Sequence, residues 1–160
     1  WDNIVDVNVK GTFLCSRAVA KQMIKHGKGG KIVNLSSMAG NGGAGQLAHY
    51  SASKGAVITF TQCLSVELAP HKINVNAVCP GIVDISELKR GAELMGVSPK
   101  EIEEEYISFT LFSDIGKPED VAKLVVFLAS EESDFMTGQA INVSDDELTM
   151  TGGLAIPKML

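Results

Sequence analysis

The sequence is poor in cysteine. Its three cysteines, Cys15, Cys63 and Cys79, sit in apolar segments at spacings that fit no zinc motif. A sparse, odd count of this kind fits reduced thiols in a cytoplasmic protein. Long apolar runs are also missing. No stretch approaches the roughly 18 uncharged apolar residues of a membrane helix. The N-terminus has no basic segment leading into an apolar run, so no signal peptide is read there. Positive charge is in deficit, with 14 Lys and Arg against 19 Asp and Glu and a net charge of −5. That balance excludes the electrostatic footprint of a nucleic-acid or anionic-membrane binder. Position 1 is Trp1 and not methionine, so the chain is expected to be a piece of something longer.

What is present is an ordinary globular composition, 45% apolar and 21% charged in 160 residues, enough for one domain with a real core. Residues 2–26 read as one amphipathic helix with Ile4, Val5, Asn8, Thr12 and Cys15 near one face, stopped by Gly27, Gly29 and Gly30. Lys31–Ser37 reads as a strand, and Ala39–Gly45 as a glycine-rich loop without the lysine-serine end of a phosphate loop. A second long helix spans Tyr50–Leu68, and Ile73–Cys79 is the next strand, closed by Pro80-Gly81. The stretch Ile82–Asp114 is less regular and more charged. Within it Ser98 is expected to cap a helix through a capping box with Glu101, behind Pro99. Pro118 opens a further helix with Val121, Leu124, Val125 and Leu128 on one face, and Ala140–Val143 is the last strand. Strands separated by helices imply crossovers and a parallel sheet, an α/β fold whose ligands sit at the carboxyl ends of strands. The loops after Ser37 and Cys79 are therefore the places for chemistry.

Tyr50 and Lys54 are four apart on a helix and project from one face. An ammonium beside a phenol stabilises the phenolate, which makes a tyrosine usable as a general acid or base. Ser37 ends a strand thirteen residues earlier, where its hydroxyl can orient a substrate oxygen. By itself a Tyr-x-x-x-Lys pair is more often a solvated surface pair. Asp145, Asp146 and Glu147 read as a solvated acidic turn and not a metal cluster, since carboxylates adjacent in sequence seldom converge on one ion. His26 and His71 are explained by helix ends, His49 by the rim of the loop region, and Cys79 as a small core residue. No metal ligand set is read.

The pair has company. Lys31-Ile-Val-Asn-Leu-Ser-Ser37, the glycine loop, Tyr50-Ser-Ala-Ser-Lys54-Gly55 and Ile73-Asn-Val-Asn-Ala-Val-Cys-Pro80-Gly81 together resemble the short-chain dehydrogenase/reductase family. Flanking landmarks extend the likeness from Trp1 to about Val143: Val7-Asn8-Val9-Lys10-Gly11 before, Gly116-Lys-Pro-Glu-Asp120-Val and Met136-Thr-Gly-Gln139 after.

The resemblance implies a doubly wound, Rossmann-type parallel sheet of which this chain holds the second half. The first βαβαβ half, with its phosphate-binding glycine turn, is missing, which would leave the Lys31–Ser37 strand as an open apolar edge. It implies Tyr50 as catalytic acid/base and Lys54 as the residue that tunes it, both also reaching the cofactor, Lys54 through the nicotinamide ribose. Ser37 is implied to polarise the substrate carbonyl or alcohol. Asn8 is implied to hold a proton-relay water beside the lysine, unless it is a helix-interior asparagine bonding locally. Pro80, Gly81 and Val83 are implied to contact the nicotinamide. The cofactor would be NAD or NADP, the partner a small-molecule alcohol or ketone, with no nucleic acid or membrane partner, and the long helices would pack against further copies in a homo-oligomer. Residues 82–114 would be a substrate lid. Ile85 stands where the family usually has a threonine that contacts the carboxamide, and Val143-Ser144-Asp145-Asp146 replaces Val-Asp-Gly-Gly. Within the family, polyol and diol dehydrogenases are the nearest likeness and 3-oxoacyl-carrier-protein reductases the next. A reading from another class is a truncated, catalytically silent chain that acts only by protein interaction.

Overall fold

The computed structural model describes residues 1–94 and 96–145. The chain begins with α1 (Asp2–Val5), passes through one π-helical turn (Asp6–Lys10) and continues as α2 (Gly11–His26). The expected single helix is thus one rod with an interruption. The π turn inserts an extra residue, which rotates the buried stripe of everything that follows. Ser16 and Ala20 are buried while Cys15 is exposed, so the apolar face expected at Cys15 is displaced by one position. Gly27 ends the rod at φ 68°, a left-handed conformation in which glycine carries no Cβ penalty, and its N–H closes on the Met23 and Ile24 carbonyls.

Three parallel strands form the sheet in the order β1 (Gly30–Leu35), β2 (Ile73–Pro80) and β3 (Ala140–Val143). Between β1 and β2 come the short turn α3 (Ala39–Gly42) and the long α4 (Ala48–Leu68). Between β2 and β3 come α5 (Ser86–Leu94), α6 (Pro99–Ile107) and α7 (Pro118–Ala129). Right at the centre, β2 is almost wholly buried, which its run Ile73-Asn-Val-Asn-Ala-Val-Cys requires. Ile32, Ile73 and Val75 pack with Ala20 of α2 and Leu68 of α4, so these helices cover one face. A buried polar chain crosses the same layer: Ser16 Oγ donates to Asn34 Oδ1 at 3.3 Å, and Asn34 Nδ2 donates to Thr61 Oγ1 at 2.9 Å. Among the described residues β1 pairs with β2 alone, so it is the open edge expected of it, with Leu35 55% exposed.

Several local expectations are corrected. The glycine-rich stretch is not all loop, because Ala39–Gly42 closes a helical turn. Helix α5 was not legible, since Ser86-Glu-Leu-Lys-Arg-Gly mixes charge and glycine. Helix α6 does start behind Ser98 with Pro99 in its first turn, but Ser98 makes no side-chain cap bond, so the expected capping box is absent. Such reciprocity occurs at α7 instead, where the Asp120 carboxylate accepts the Lys117 N–H at 3.1 Å and the Asp120 N–H donates to the Lys117 carbonyl at 2.9 Å. Asp145 is described, but Asp146 and Glu147 of the expected acidic turn lie outside the described residues.

Candidate active site

The carboxyl ends of β1 and β2 carry the candidate site. Helix α4 begins at Ala48, so Tyr50 and Lys54 occupy its first two turns. The Lys54 Nζ lies 5.7 Å from the centroid of the Tyr50 ring and donates to the Leu35 carbonyl at 3.0 Å, which ties α4 to the last residue of β1. Half-burial of Lys54 holds its ammonium below the ordinary lysine range, with an opposing pull from nearby Cys79. Among the described residues no carboxylate pairs with Lys54, so two of its three N–H donors have no protein acceptor there.

Two serines and a glycine fasten this turn. Ser36, buried just beyond β1, donates to the Lys54 carbonyl at 2.7 Å. Gly40 packs directly on the same peptide: a Cβ there would lie 2.6 Å from the Lys54 carbonyl carbon and 2.7 Å from the Gly55 nitrogen. Only glycine permits that approach. Ser53 is 1% exposed and donates to the Tyr50 carbonyl at 2.7 Å. Asn8, in the π turn, donates from Nδ2 to Ser53 Oγ at 3.0 Å. Asn8 therefore bonds a residue 45 positions away and not locally. Its own carbonyl accepts from Thr12 Oγ1 at 2.7 Å.

Ser37 sits two residues past the end of β1, not within it, and its Oγ accepts the Ala39 N–H at 3.2 Å. Its hydroxyl proton has no protein acceptor among the described residues. Pro80 is the last residue of β2, and its carbonyl accepts the Met38 N–H at 3.0 Å, so the loops after β1 and β2 run side by side. The Gly81 N–H donates to the Val143 carbonyl at 3.0 Å. Val83 pairs with Gly116 in an isolated parallel bridge that closes the base of the 82–116 segment. That segment has its own apolar cluster of Ile85, Ala92 and Ile102, with Ile82, Tyr106 and Ile115 against it. Ile85 points into this cluster, which explains an apolar residue there. Burial pushes the Tyr106 hydroxyl up.

Asn8, Ser37, Tyr50 and Lys54 are thus gathered by α4 and the end of β1, with Pro80 and Gly81 alongside. Ser36, Gly40 and Ser53 were missed. Their signal was present as small residues beside the motif residues, in Ser36-Ser37 and Ser51-Ala-Ser-Lys54. Cys79 is buried against Met38 and Ile58, and burial pushes its thiol up, as suits a core residue. Gly40-Asn41-Gly42-Gly43-Ala44-Gly45 does have G-x-G-x-x-G spacing, yet it opens only a four-residue helix and its first glycine is used against Lys54. A cleft of about 660 Å³ bounded by Ile82, Val83, Phe112, Ile115 and Val143 lies beyond the Val83 bridge, without Tyr50 or Lys54 in its wall. Among the described residues no cluster of His, Cys, Asp or Glu could hold a metal ion, and no helix is long and apolar enough to cross a membrane.

The chain is similar over most of its length to known proteins. The sequence model of a family described as Enoyl-(Acyl carrier protein) reductase matches residues 1–145. The chain is 41% identical over 143 residues to the short-chain reductase protein NovJ of Streptomyces niveus, covering 89% of this chain and 54% of that protein. It is 38% identical over 156 residues to the 3-oxoacyl-[acyl-carrier-protein] reductase FabG of Thermotoga maritima, covering 98% of this chain and 57% of the relative. A crystal structure of NAD+-bound xylitol dehydrogenase superimposes with a TM-score of 0.80 at 34% identity, covering 88% of this chain and 57% of that one. The chain spans about half the length of the curated relatives it matches.

Proposed function

Because the chain belongs to the short-chain dehydrogenase/reductase family, whose members use NAD or NADP, we propose that the whole protein interconverts a secondary alcohol and a ketone by hydride transfer, with a polyol or diol as the alcohol. Tyr50 gives or takes the proton of the substrate oxygen. Ser37 holds that oxygen with the hydroxyl proton that no described protein group claims. Lys54 keeps a cation beside the phenol, and Asn8 braces the lysine turn. The observation that carries this reading is the convergence of three long-range bonds on one turn of α4: Asn8 to Ser53, Ser36 to the Lys54 carbonyl, and Lys54 to the Leu35 carbonyl.

The donor set fits a nicotinamide nucleoside. Lys54, with no carboxylate partner and two unclaimed donors among the described residues, suits a ribose hydroxyl, and Tyr50, Pro80, Gly81 and Val83 supply the rest of the nicotinamide side. When bound, NAD or NADP supplies the hydride acceptor or donor. Residues 82–114 serve as the substrate lid, a reading supported by their separate apolar cluster and by exposed Leu94, Leu111 and Phe112. Self-association through the long helices is supported by exposed Val7 and Phe13 on the first rod and Val66 on α4. A reducing, cytoplasmic setting is supported by three free cysteines.

The decisive experiment expresses the complete reading frame and assays NAD(P)-linked oxidation of polyols and diols. Tyr50→Phe is expected to abolish turnover, and unchanged turnover would sink the assignment. The second reading, reduction of a 3-oxoacyl thioester, is favoured by the relationship to FabG, and the same assay with an acetoacetyl thioester and NADPH separates the two. For the 160-residue chain alone, the open β1 edge favours catalytic silence. Micromolar binding of NADH or NADPH in a fluorescence titration would reject that.

A further inference from the structure

We propose that Ser53 is a positioning residue that sets the direction of the Asn8 amide, an inference that rests on the dehydrogenase reading above. A serine hydroxyl has a single hydrogen and two lone pairs. Ser53 gives its hydrogen to the Tyr50 carbonyl at 2.7 Å. Its oxygen can then only accept, and what it accepts is the Asn8 Nδ2–H at 3.0 Å. The amide group is asymmetric, so a partner that can only accept selects its NH2 side and turns Oδ1 away. Ser53 therefore leaves Asn8 with one acceptor of fixed direction.

Three further observations make this more than packing. Ser53 is 1% exposed, so water cannot stand in for its hydroxyl at the amide. Asn8 lies in the π turn, and its carbonyl is held by Thr12 at 2.7 Å. Main chain and side chain of Asn8 are thus fixed separately, the second, among the described residues, by Ser53 alone. Finally, Ser53 is the residue before Lys54, whose ammonium has donors that no described protein group accepts. The Asn8–Ser53 bond therefore joins the π turn to the turn of α4 that carries Lys54. Alanine at position 53 suits a helix as well as serine does. It would keep α4 and release the amide to rotate.

The test uses the protein from its complete reading frame, with NAD(P) and the alcohol it oxidises. Ser53→Ala is expected to lower kcat about tenfold with KM changed less than about twofold, the cost of one buried directional bond. Because Ser53 acts through Asn8, the Asn8→Ala/Ser53→Ala pair is expected to be no slower than Asn8→Ala alone. Ser53→Cys, which keeps a weak acceptor, should recover part of the loss, and it carries the test if Ser53→Ala does not fold. A readout independent of turnover is the Asn8 side-chain amide in nitrogen-15 spectra. Its protons are protected from exchange in the wild type and lose that protection in Ser53→Ala. Ser53→Ala with kcat within about twofold of wild type, or two single losses that multiply in the double variant, overturns the proposal while an inactive Tyr50→Phe leaves the dehydrogenase reading standing. An active Tyr50→Phe overturns both.

Discussion

The corner around Lys54 and the segment from Ile82 to Gly116 adjoin the same carboxyl end of the sheet, yet different forces hold them. At the corner, side-chain hydrogen bonds reach across long stretches of chain, Asn8 to Ser53, Ser36 to the Lys54 carbonyl and Lys54 to the Leu35 carbonyl, with Gly40 packed against the Lys54 peptide. Each bond is directional and few could be exchanged for apolar contact. The 82–116 segment instead packs upon itself around Ile85, Ala92 and Ile102, with the Lys89–Glu103 ion pair at 2.9 Å joining α5 to α6. Its base is closed on itself by backbone bonds, Asp84 N–H to the Gly116 carbonyl and Gly116 N–H to the Ile82 carbonyl, each 3.1 Å, and the Leu111 N–H reaches the Asp145 carbonyl, just past β3, at 2.9 Å. Directional bonds fix atoms to fractions of an ångström, as proton transfer needs. A self-contained apolar cluster can move as a body, as a lid needs.

The comparison breaks most visibly at Gly40. Gly40→Ala sets a Cβ against three backbone atoms of Lys54 and Gly55, all within 2.9 Å. A destabilisation above about 3 kcal/mol is expected, because backbone in a helix cannot step aside. A thermal or urea melt measures it, and an unchanged melt would show that the corner is not rigid. Ile102→Ala comes next. Ile102 is buried in the 82–116 cluster, and its truncation costs about 2–4 kcal/mol. If the segment is a separate unit, that cost appears as faster hydrogen exchange across residues 86–107 while β1 and β2 keep their protection. Faster exchange in β2 as well would erase the distinction.

The smallest effect concerns pH. Burial holds Lys54 below its ordinary 10.5. The folded protein therefore sheds this proton before the unfolded chain does. Stability carries the burial cost below the depressed value and rises as pH climbs from there to 10.5. Lys54→Met removes that rise. Cys79 works in the opposite sense, since its raised thiol costs stability as pH passes the ordinary 9.0. The informative quantity is thus the difference in Tm between wild type and Lys54→Met from neutral pH to about pH 10. Wild-type Tm minus that of Lys54→Met is expected to rise over that range, and a fall contradicts the sign.

Much of this molecule was legible from residue order. The strands expected at 31–37 and 73–79, formed at Gly30–Leu35 and Ile73–Pro80, the helix from Pro118 and the pairing of Tyr50 with Lys54 follow from periodicity and turn residues, which are local properties. The likeness to short-chain dehydrogenases supplied the grouping of Asn8 with Ser37. What stayed hidden is non-local. The π turn at Asp6–Lys10 is invisible in Asp-Val-Asn-Val-Lys because nothing in those side chains prefers it to α-helix. Helix α5 was hidden because its partner α6 supplies the apolar surface its charged sequence lacks. Ser98 showed the opposite error: a local capping signal with no bond to match it.

The order of the three strands and the long helices, the parallel sheet and the pairing of Tyr50 with Lys54 were determined by the sequence alone, because hydrophobic period and helix spacing act over a few residues. Which small residues brace that chemistry was decided only in three dimensions. Ser36, Gly40 and Ser53 carry only the weak signal of small residues beside the motif. Their role comes from where α4, β1 and the π turn meet, and that meeting is set by packing across the sheet.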